Sequence, residues 1–429
     1  AALCAVTCAT TGRVFDGVAA PNAIFLDVYA SPLMLATRAI TGHSIHIIGF
    51  IPVHASFVLH RYGPEHMGGQ GDLGGKIEAE AARLGVTVEE IGDAVFYRTE
   101  GKINKVPGLP LMYDWEHFPQ LLVTTGKIVV SDFLKLAYNG LKECDVGFSL
   151  SAYDFEPESI DALKSWFAEE WKKEVYTVGP LLASKPTTSS VAPDIKTIAN
   201  GNGNSNGHSN GDPSSSEIQA FLEKSLKEYG EKSLVLISFG SLFWPTVQEY
   251  VEEVIEALIE KKFPFIVSYA SQFAKITDDL MDRITSSGCG LISKWIPQKF
   301  ILNHPATGWF ITYNGQSGVL ESLDSGIPMI CWPFEFDQPL AAAHLSTNLH
   351  IAFELIEVRT GAHGMQPVLR LNDRAPQGTR GAVGIEIRAV LDACRSAKGG
   401  GAPAECGGDE GEVWEGVGGG GGWCREEGL

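Results

Sequence analysis

Residues 309–318 read WFITYNGQSG, and VLESLDSG follows directly. The apolar run Trp309 to Thr312 has the character of a buried strand and stops abruptly. The segment after Gly318 has the spacing of a helix. Between them the chain places two glycines and a hydroxyl. Gly315 and Gly318 remove side chains where an anion could sit, and Ser317 adds a donor. The amides that open the following helix carry a partial positive charge. Strand, glycine turn and helix in that order form the repeating unit of a parallel α/β sheet. A bulky Tyr313 opens the turn, which an anion cradle does not by itself explain.

The same device occurs upstream. SLVLISFG (233–240) is a buried-strand run that ends in SFGS (238–241), where Gly240 lets the backbone approach a ligand and Ser241 offers a hydroxyl near an expected helix start. Thr246 and Glu249 have capping-box spacing. Val247, Tyr250, Val251, Val254, Ile255 and Leu258 follow at helical spacing. FPFIVSYA (263–270), GLISKW (290–295) and IPMICW (327–332) are further strands. Such alternation predicts a parallel sheet covered on both faces, with its ligand at the carboxyl ends of the strands. Two glycine turns at one sheet edge suit a diphosphate.

The first block alternates as well. NAIFLDVY (22–29), SIHIIGF (44–50) and EVYTVGP (174–180) read as strands, and PLMLATRAI (32–40) and DALKSWFAEEWKK (161–173) as helices. These are too few strands to close a sheet comfortably. Residues 184–216, with the core GNGNSNGHSNG, are polar and low in complexity, so a flexible linker is expected there. Residues 396–429 are glycine-rich and aperiodic and read as a disordered tail. The expected division is therefore a first domain over 1–183 and a second over 217–395. Gly69-Gln70-Gly71-Asp72-Leu73-Gly74 has the spacing of a dinucleotide fingerprint. That mechanism needs a strand just before it, and HASFVLHRYGPEHM reads as helix and loop, so a surface loop is the better reading.

The bulk numbers exclude several classes. The 33 basic and 52 acidic residues give a net charge of −19, which argues against a nucleic-acid partner. The eight cysteines are scattered with no C-x-x-C pair, so reduced thiols of a cytoplasmic protein are expected rather than a zinc site or disulfide framework. No apolar run is long enough for a transmembrane segment. The opening AALCAVTCATTGRV lacks a basic leader and does not read as a signal peptide.

The wider frame from Trp295 to Gln338 is WIPQKFILNHPATGWFITYNGQSGVLESLDSGIPMICWPFEFDQ. It resembles the nucleotide-sugar signature of the UDP-dependent glycosyltransferases of family 1. The match covers W-x-P-Q, L-x-H, G-x-F, the glycine turn, Glu321, G-x-P, Pro333 and the closing Asp-Gln, without a gap. A weaker likeness to fungal members runs from PNAIFLD to about RTGAHG. The resemblance implies an α/β protein of GT-B fold, with two Rossmann-like domains facing across a cleft. Carried over by position, Trp295 would stack on uracil with Gln298 nearby, and Glu321 would take the ribose hydroxyls. Ser241, Gly315, Ser317 and Gly318 would hold the diphosphate, while Asp337 and Gln338 would bind the sugar. Tyr313 stands where the family has a phosphate-contacting histidine. His304 reads as a packed helix residue, and Trp332 and Phe334 as core or cleft wall.

The implied reaction is inverting transfer from a UDP-sugar, with UDP-glucose expected, to a hydroxyl of a small lipophilic acceptor such as a sterol, phenol or terpenoid. No cofactor and no metal are implied. Asp27, in AIFLDVY, matches the family aspartate that orients the catalytic histidine. Only 26 residues precede it, and the first histidine is His43. The resemblance therefore implies an incomplete N-terminal domain and a chain with little or no turnover. His54, in IPVHASF, is expected on the acceptor side but is not assigned as the base. Beyond RTGAHGMQP one short helix, GAVGIEIRAVLDACRSA, is expected before the glycine-rich stretch. Three readings stay open: a UDP-sugar glycosyltransferase, a truncated non-catalytic nucleotide-sugar-binding protein, and an unrelated α/β binding protein with a coincidental turn.

Overall fold

A computed structural model describes residues 3–7, 12–19, 21–121, 130–182 and 213–397. The expected linker lies outside the described residues as far as residue 212, and the expected tail does so from residue 398. The side chains of Cys4, Cys8, Cys406 and Cys424 also lie outside them. Cys144, Cys289, Cys331 and Cys394 are buried free thiols. Among the described residues no helix is long and apolar enough to cross a membrane. The chain divides into two compact units, 1–98 with 126–179, and 99–125 with 180–429.

In the first unit β1 (Leu3–Thr7) and β2 (Val14–Ala19) form an antiparallel ribbon. Strand β3 (Ala23–Asp27) and strand β4 (His46–Ile51) start a parallel sheet, with the helices Ser31–Thr41 and Ala55–Tyr62 following them. A short ribbon of β5 (Ile103–Asn104) and β6 (Met112–Tyr113) belongs to the second unit. Strands β7 (Val146–Ser149) and β8 (Glu174–Thr177) complete the order β3-β4-β7-β8, parallel throughout. Strand β7 escapes the sequence reading because it is short and contains Gly147. That glycine is a packing requirement: a Cβ there would lie 3.2 Å from Val175 Cγ2 and 3.3 Å from Ile51 Cδ1. The fingerprint at Gly69–Gly74 is no cradle. A helix and a turn precede it, and Asp72 Oδ1 accepts from Gly75 N at 2.8 Å to cap the helix Leu73–Leu84.

The second unit holds β9 (Leu234–Ser238), β10 (Phe265–Ser268), β11 (Gly290–Ser293), β12 (Thr307–Thr312), β13 (Met329–Cys331) and β14 (Ala352–Glu354). Their order is β11-β10-β9-β12-β13-β14, again all parallel. Every residue of β9, β10, β12 and β13 is buried, as a sheet covered on both faces requires. The chain runs outward from β9 to β11, then returns and runs the other way from β12 to β14. The topological switch point thus lies between β9 and β12, where doubly wound sheets hold ligands.

The helix expected from Thr246 starts later, at Gln248, and its N-cap Val247 makes no side-chain cap bond. The capping box does not form. Trp244 and Pro245 are buried, and Trp244 packs edge-on against Phe239 with ring centroids 5.6 Å apart. That packing holds the chain in a loop between Ser241 and the helix.

Residues 99–121, expected in the first domain, fold with the second unit. Glu116 is fully buried; its Oε1 accepts from Tyr113 N and Leu369 N, each at 3.0 Å, and its Oε2 pairs with Arg370. Trp115 Nε1 donates to Pro367 O at 2.7 Å. Gln120 Nε2 donates to Val358 O at 3.0 Å and its Oε1 accepts from Thr360 Oγ1 at 3.0 Å. These are polar contacts between residues far apart in the chain, a type that leaves no periodicity to read.

Candidate functional site

The residues singled out for donor binding, all in the second unit, follow the carboxyl ends of its strands. β12 ends at Thr312, and Gly315 is the N-cap of the helix Gln316–Ser325, so the amides opening that helix follow the glycine directly. Asn314, which the sequence reading passed over, sets the turn. It has φ 66°, is fully buried, and its Nδ2 donates to Cys331 Sγ at 3.0 Å. The N-G pair was the available signal, since asparagine tolerates the left-handed region. Gln316 was also missed. It is buried, and among the described residues its side-chain amide has no hydrogen-bond partner.

Ser317 is exposed on the first turn of this helix. Gly318 is buried, yet a Cβ there would meet only ordinary contacts, the nearest being Thr312 Oγ1 at 3.6 Å. Packing alone does not claim that space. Ser241 is exposed after Gly240, whose φ is 68°. The loop through Trp244 and Pro245 separates Ser241 from the next helix, so the SFGS turn offers backbone and hydroxyl without the helix terminus expected behind it.

Of the residues expected to meet the base and ribose, Gln298 and Glu321 are in direct contact. Trp295, just beyond β11, keeps 39% of its surface exposed although most tryptophan surface in a folded chain is covered. Gln298 opens the helix Gln298–Leu302, and its Nε2 donates to Glu321 Oε2 at 2.8 Å. Burial raises the Glu321 carboxyl above its ordinary range, while the Gln298 bond and Lys299 act against that rise. Glu321 is thus a partly desolvated acceptor with its orientation fixed, the chemistry that vicinal hydroxyls require.

Asp337 is the N-cap of the helix Gln338–Ala343 and is 7% exposed. Gln338, expected to bind the sugar, has its side-chain oxygen engaged within the protein. Its Oε1 accepts from Phe334 N at 3.0 Å and Glu335 N at 3.2 Å, so its carbonyl fastens the preceding loop. Trp332 and Phe334 are buried around Phe239 at 5.2 and 5.7 Å, and belong to the core. His304 Nδ1 accepts from Ala306 N at 3.2 Å, a structural bond just past its helix.

Tyr313 is packed among these residues. Burial first, then the carboxylates of Asp337 and Glu321, push its phenol up to about 12. Phe243 packs against the ring at 5.8 Å.

Two residues singled out on the first unit lie elsewhere. Asp27 is exposed at the carboxyl end of β3, and its Oδ1 accepts from Tyr29 N at 2.9 Å. Surrounding protein raises its carboxyl above the ordinary range, with the Tyr29 amide pulling the other way. His54 has a different setting from the acceptor lining expected of it. It precedes the helix Ala55–Tyr62 and is 0% exposed, with Nδ1 3.9 Å from Glu156 Oε1 and its ring 5.2 Å from Phe155. Glu156 is itself buried and accepts from Ala55 N at 2.6 Å and Ser56 N at 2.9 Å, capping that helix. His54 is a core histidine beside a helix cap.

Comparison with known proteins bears on this arrangement. Residues 191–362 match the family described as UDP-glucoronosyl and UDP-glucosyl transferase. UDP-glycosyltransferase eriJ of Hericium erinaceus is 30% identical over 292 residues, which is 67% of this chain and 53% of the relative. UDP-glycosyltransferase 74C1 of Arabidopsis thaliana is 25% identical over 280 residues, 64% of this chain and 56% of the relative. The chain spans about half the length of these curated relatives. Among solved structures, a ugt transferase from Siraitia grosvenorii in complex with UDP superposes with a TM-score of 0.54 at 18% identity, over 88% of this chain and 78% of that one. Medicago truncatula UGT71G1 complexed with UDP-glucose gives 0.52 at 20% identity, over 87% and 70%. The fold is α/β of the GT-B type. With the signature from Trp295 to Gln338 gathered at the carboxyl ends of one parallel sheet, the chain belongs to the UDP-dependent glycosyltransferases of family 1.

Proposed function

We propose that the second unit binds a UDP-sugar, with UDP-glucose as the expected donor, for transfer to a hydroxyl of a small lipophilic acceptor. The observation that carries this reading is the convergence of two glycine turns at the β9–β12 switch point, with the Glu321–Gln298 pair next to the second turn and an exposed Trp295 after β11. Each element answers one part of the donor. The exposed indole offers a π-face to the base, and the oriented carboxylate accepts from ribose hydroxyls. The amides after Gly315, with Ser317 and Ser241, take the diphosphate. Asp337 and the remaining amide of Gln338 are left for the sugar. Transfer is inverting: the acceptor oxygen forms a bond to the anomeric carbon from the face opposite UDP, the bond to UDP breaks, and the acceptor proton passes to a base. No metal or cofactor enters the step. A small lipophilic acceptor fits the reading, since the Phytolacca americana UGT2 structure is complexed with UDP-2fluoro-glucose and pterostilbene.

A second reading, nucleotide-sugar binding without turnover, is favoured by one observation. His54 is enclosed in the core, so its imidazole is not presented to an acceptor as a base. Without general-base help the rate falls about 10²–10⁴-fold.

Two measurements test these readings. Calorimetry should detect UDP, and Trp295→Ala should weaken it by about 1–3 kcal/mol, the range for base–aromatic stacking. Absence of UDP binding by folded protein removes the donor site. Turnover with UDP-glucose and a panel of phenols and sterols, with and without a chelator, separates the two readings. Glycoside formation insensitive to the chelator supports transfer as written, and binding without product supports the second.

A further inference from the structure

Tyr313 occupies the ground that the donor-site reading assigns to the diphosphate. A Cβ on Gly240 would lie 2.9 Å from both Cζ and the hydroxyl oxygen of Tyr313. A Cβ on Gly315 would lie 2.6 Å from Cε2, Cζ and the same oxygen. Two glycines on different turns, one after β9 and one after β12, therefore touch the same end of one ring. The tip of the phenol sits where the two turns converge. Burial and the carboxylates of Asp337 and Glu321 hold the phenol neutral, and Phe243 packs on its ring. Both glycines thus make room for a side chain of the protein itself. The space they would otherwise leave for an anion is filled by an uncharged ring.

We propose that Tyr313 is a specificity-determining residue that plugs the anion cradle between Gly240 and Gly315, so that a nucleoside diphosphate engages both turns only after the ring rotates out. This rests on the donor-site reading above. The plug acts on the phosphates alone, because the base and ribose meet Trp295, Gln298 and Glu321. The chain should therefore recognise the nucleoside nearly as well as the nucleoside diphosphate. Uridine and UDP are the probes that separate the two parts.

The test is calorimetry of uridine and of UDP with the full chain and with Tyr313→Ala, Tyr313→His and Tyr313→Phe, each checked for folding by circular dichroism. The wild type should bind UDP no more than about threefold tighter than uridine. Tyr313→Ala and Tyr313→His should tighten UDP about tenfold and change uridine by less than about twofold. Tyr313→Phe keeps the ring and should behave as wild type. If Tyr313→Ala fails to fold, the His and Phe variants decide. Unchanged UDP affinity in folded Tyr313→His, or in folded Tyr313→Ala, overturns the plug. So does a wild type that already prefers UDP strongly and loses that preference in Tyr313→Phe, because the hydroxyl would then be a phosphate donor. In either of those cases the donor site itself stands. Binding of neither uridine nor UDP by any variant would instead remove the donor-site reading and this inference with it.

Discussion

Gly315 and Gly240 face the same ring for different reasons, and single residues can separate them. Gly315 has φ −65° and ψ 148°, a conformation open to any residue, and the three atoms nearest to a side chain there all belong to the Tyr313 ring and its hydroxyl. Gly315→Ala should cost about 1–3 kcal/mol through overpacking. In a Tyr313→Ala background that cost should vanish. Gly240 has φ 68°, where an L-residue is strained whatever its neighbours. Gly240→Ala should therefore keep a cost of about 1–2 kcal/mol in the Tyr313→Ala background. Urea midpoints of the single and double variants provide both cycles. Equal rescue at the two positions would show that the ring is not what distinguishes them.

At the scale of elements, the end of β14 is held by charge. Glu354 accepts from Arg359 Nη2 at 2.8 Å and pairs also with Arg370, which in turn reaches Glu116. All four side chains are at most 5% exposed. Burial by itself would raise the Glu354 carboxyl, but Arg370 and Arg359 outweigh it and hold it below its ordinary range. A carboxyl depressed in the folded state contributes stability that is complete above the unfolded value and is lost as pH falls through the folded one. Glu354→Gln should therefore be less stable than wild type near about pH 7, and the gap should narrow toward about pH 3. A gap that stays constant across that range would mean the two arginines do not set the ionisation of Glu354.

On the scale of the molecule, the two compact units do not follow the order of the chain. Residues 99–121 reach the second unit through Glu116, Trp115 and Gln120. Removing the Glu116 carboxylate leaves Arg370 a buried cation with half its compensation, and breaking such a pair costs about 3–5 kcal/mol. Glu116→Ala should raise hydrogen exchange around β14 and residues 367–371, and leave β3 and β4 unchanged. Uniform loss of protection in both sheets would contradict the assignment of this segment to the second unit.

Sequence alone determined what local pattern can determine. Buried strands such as SLVLISFG and GWFIT announce themselves because a sheet covered on both faces needs unbroken apolar runs, and the helices between them carry their own periodicity. The spaced signature from Trp295 to Gln338 fixed the site's membership because all its parts lie on one continuous stretch. Short strands did not show: β7 carries a glycine that packing demands, and β14 spans only Ala352–Glu354. The helix after SFGS was placed too early, because the buried Trp244 decides its start and not the Thr246–Glu249 spacing. Tertiary structure alone decided where rings and carboxylates meet. The enclosure of His54, the return of the Gln338 carbonyl onto its own loop and the seating of Tyr313 between two glycines each depend on distances between parts of the chain that no local spacing encodes.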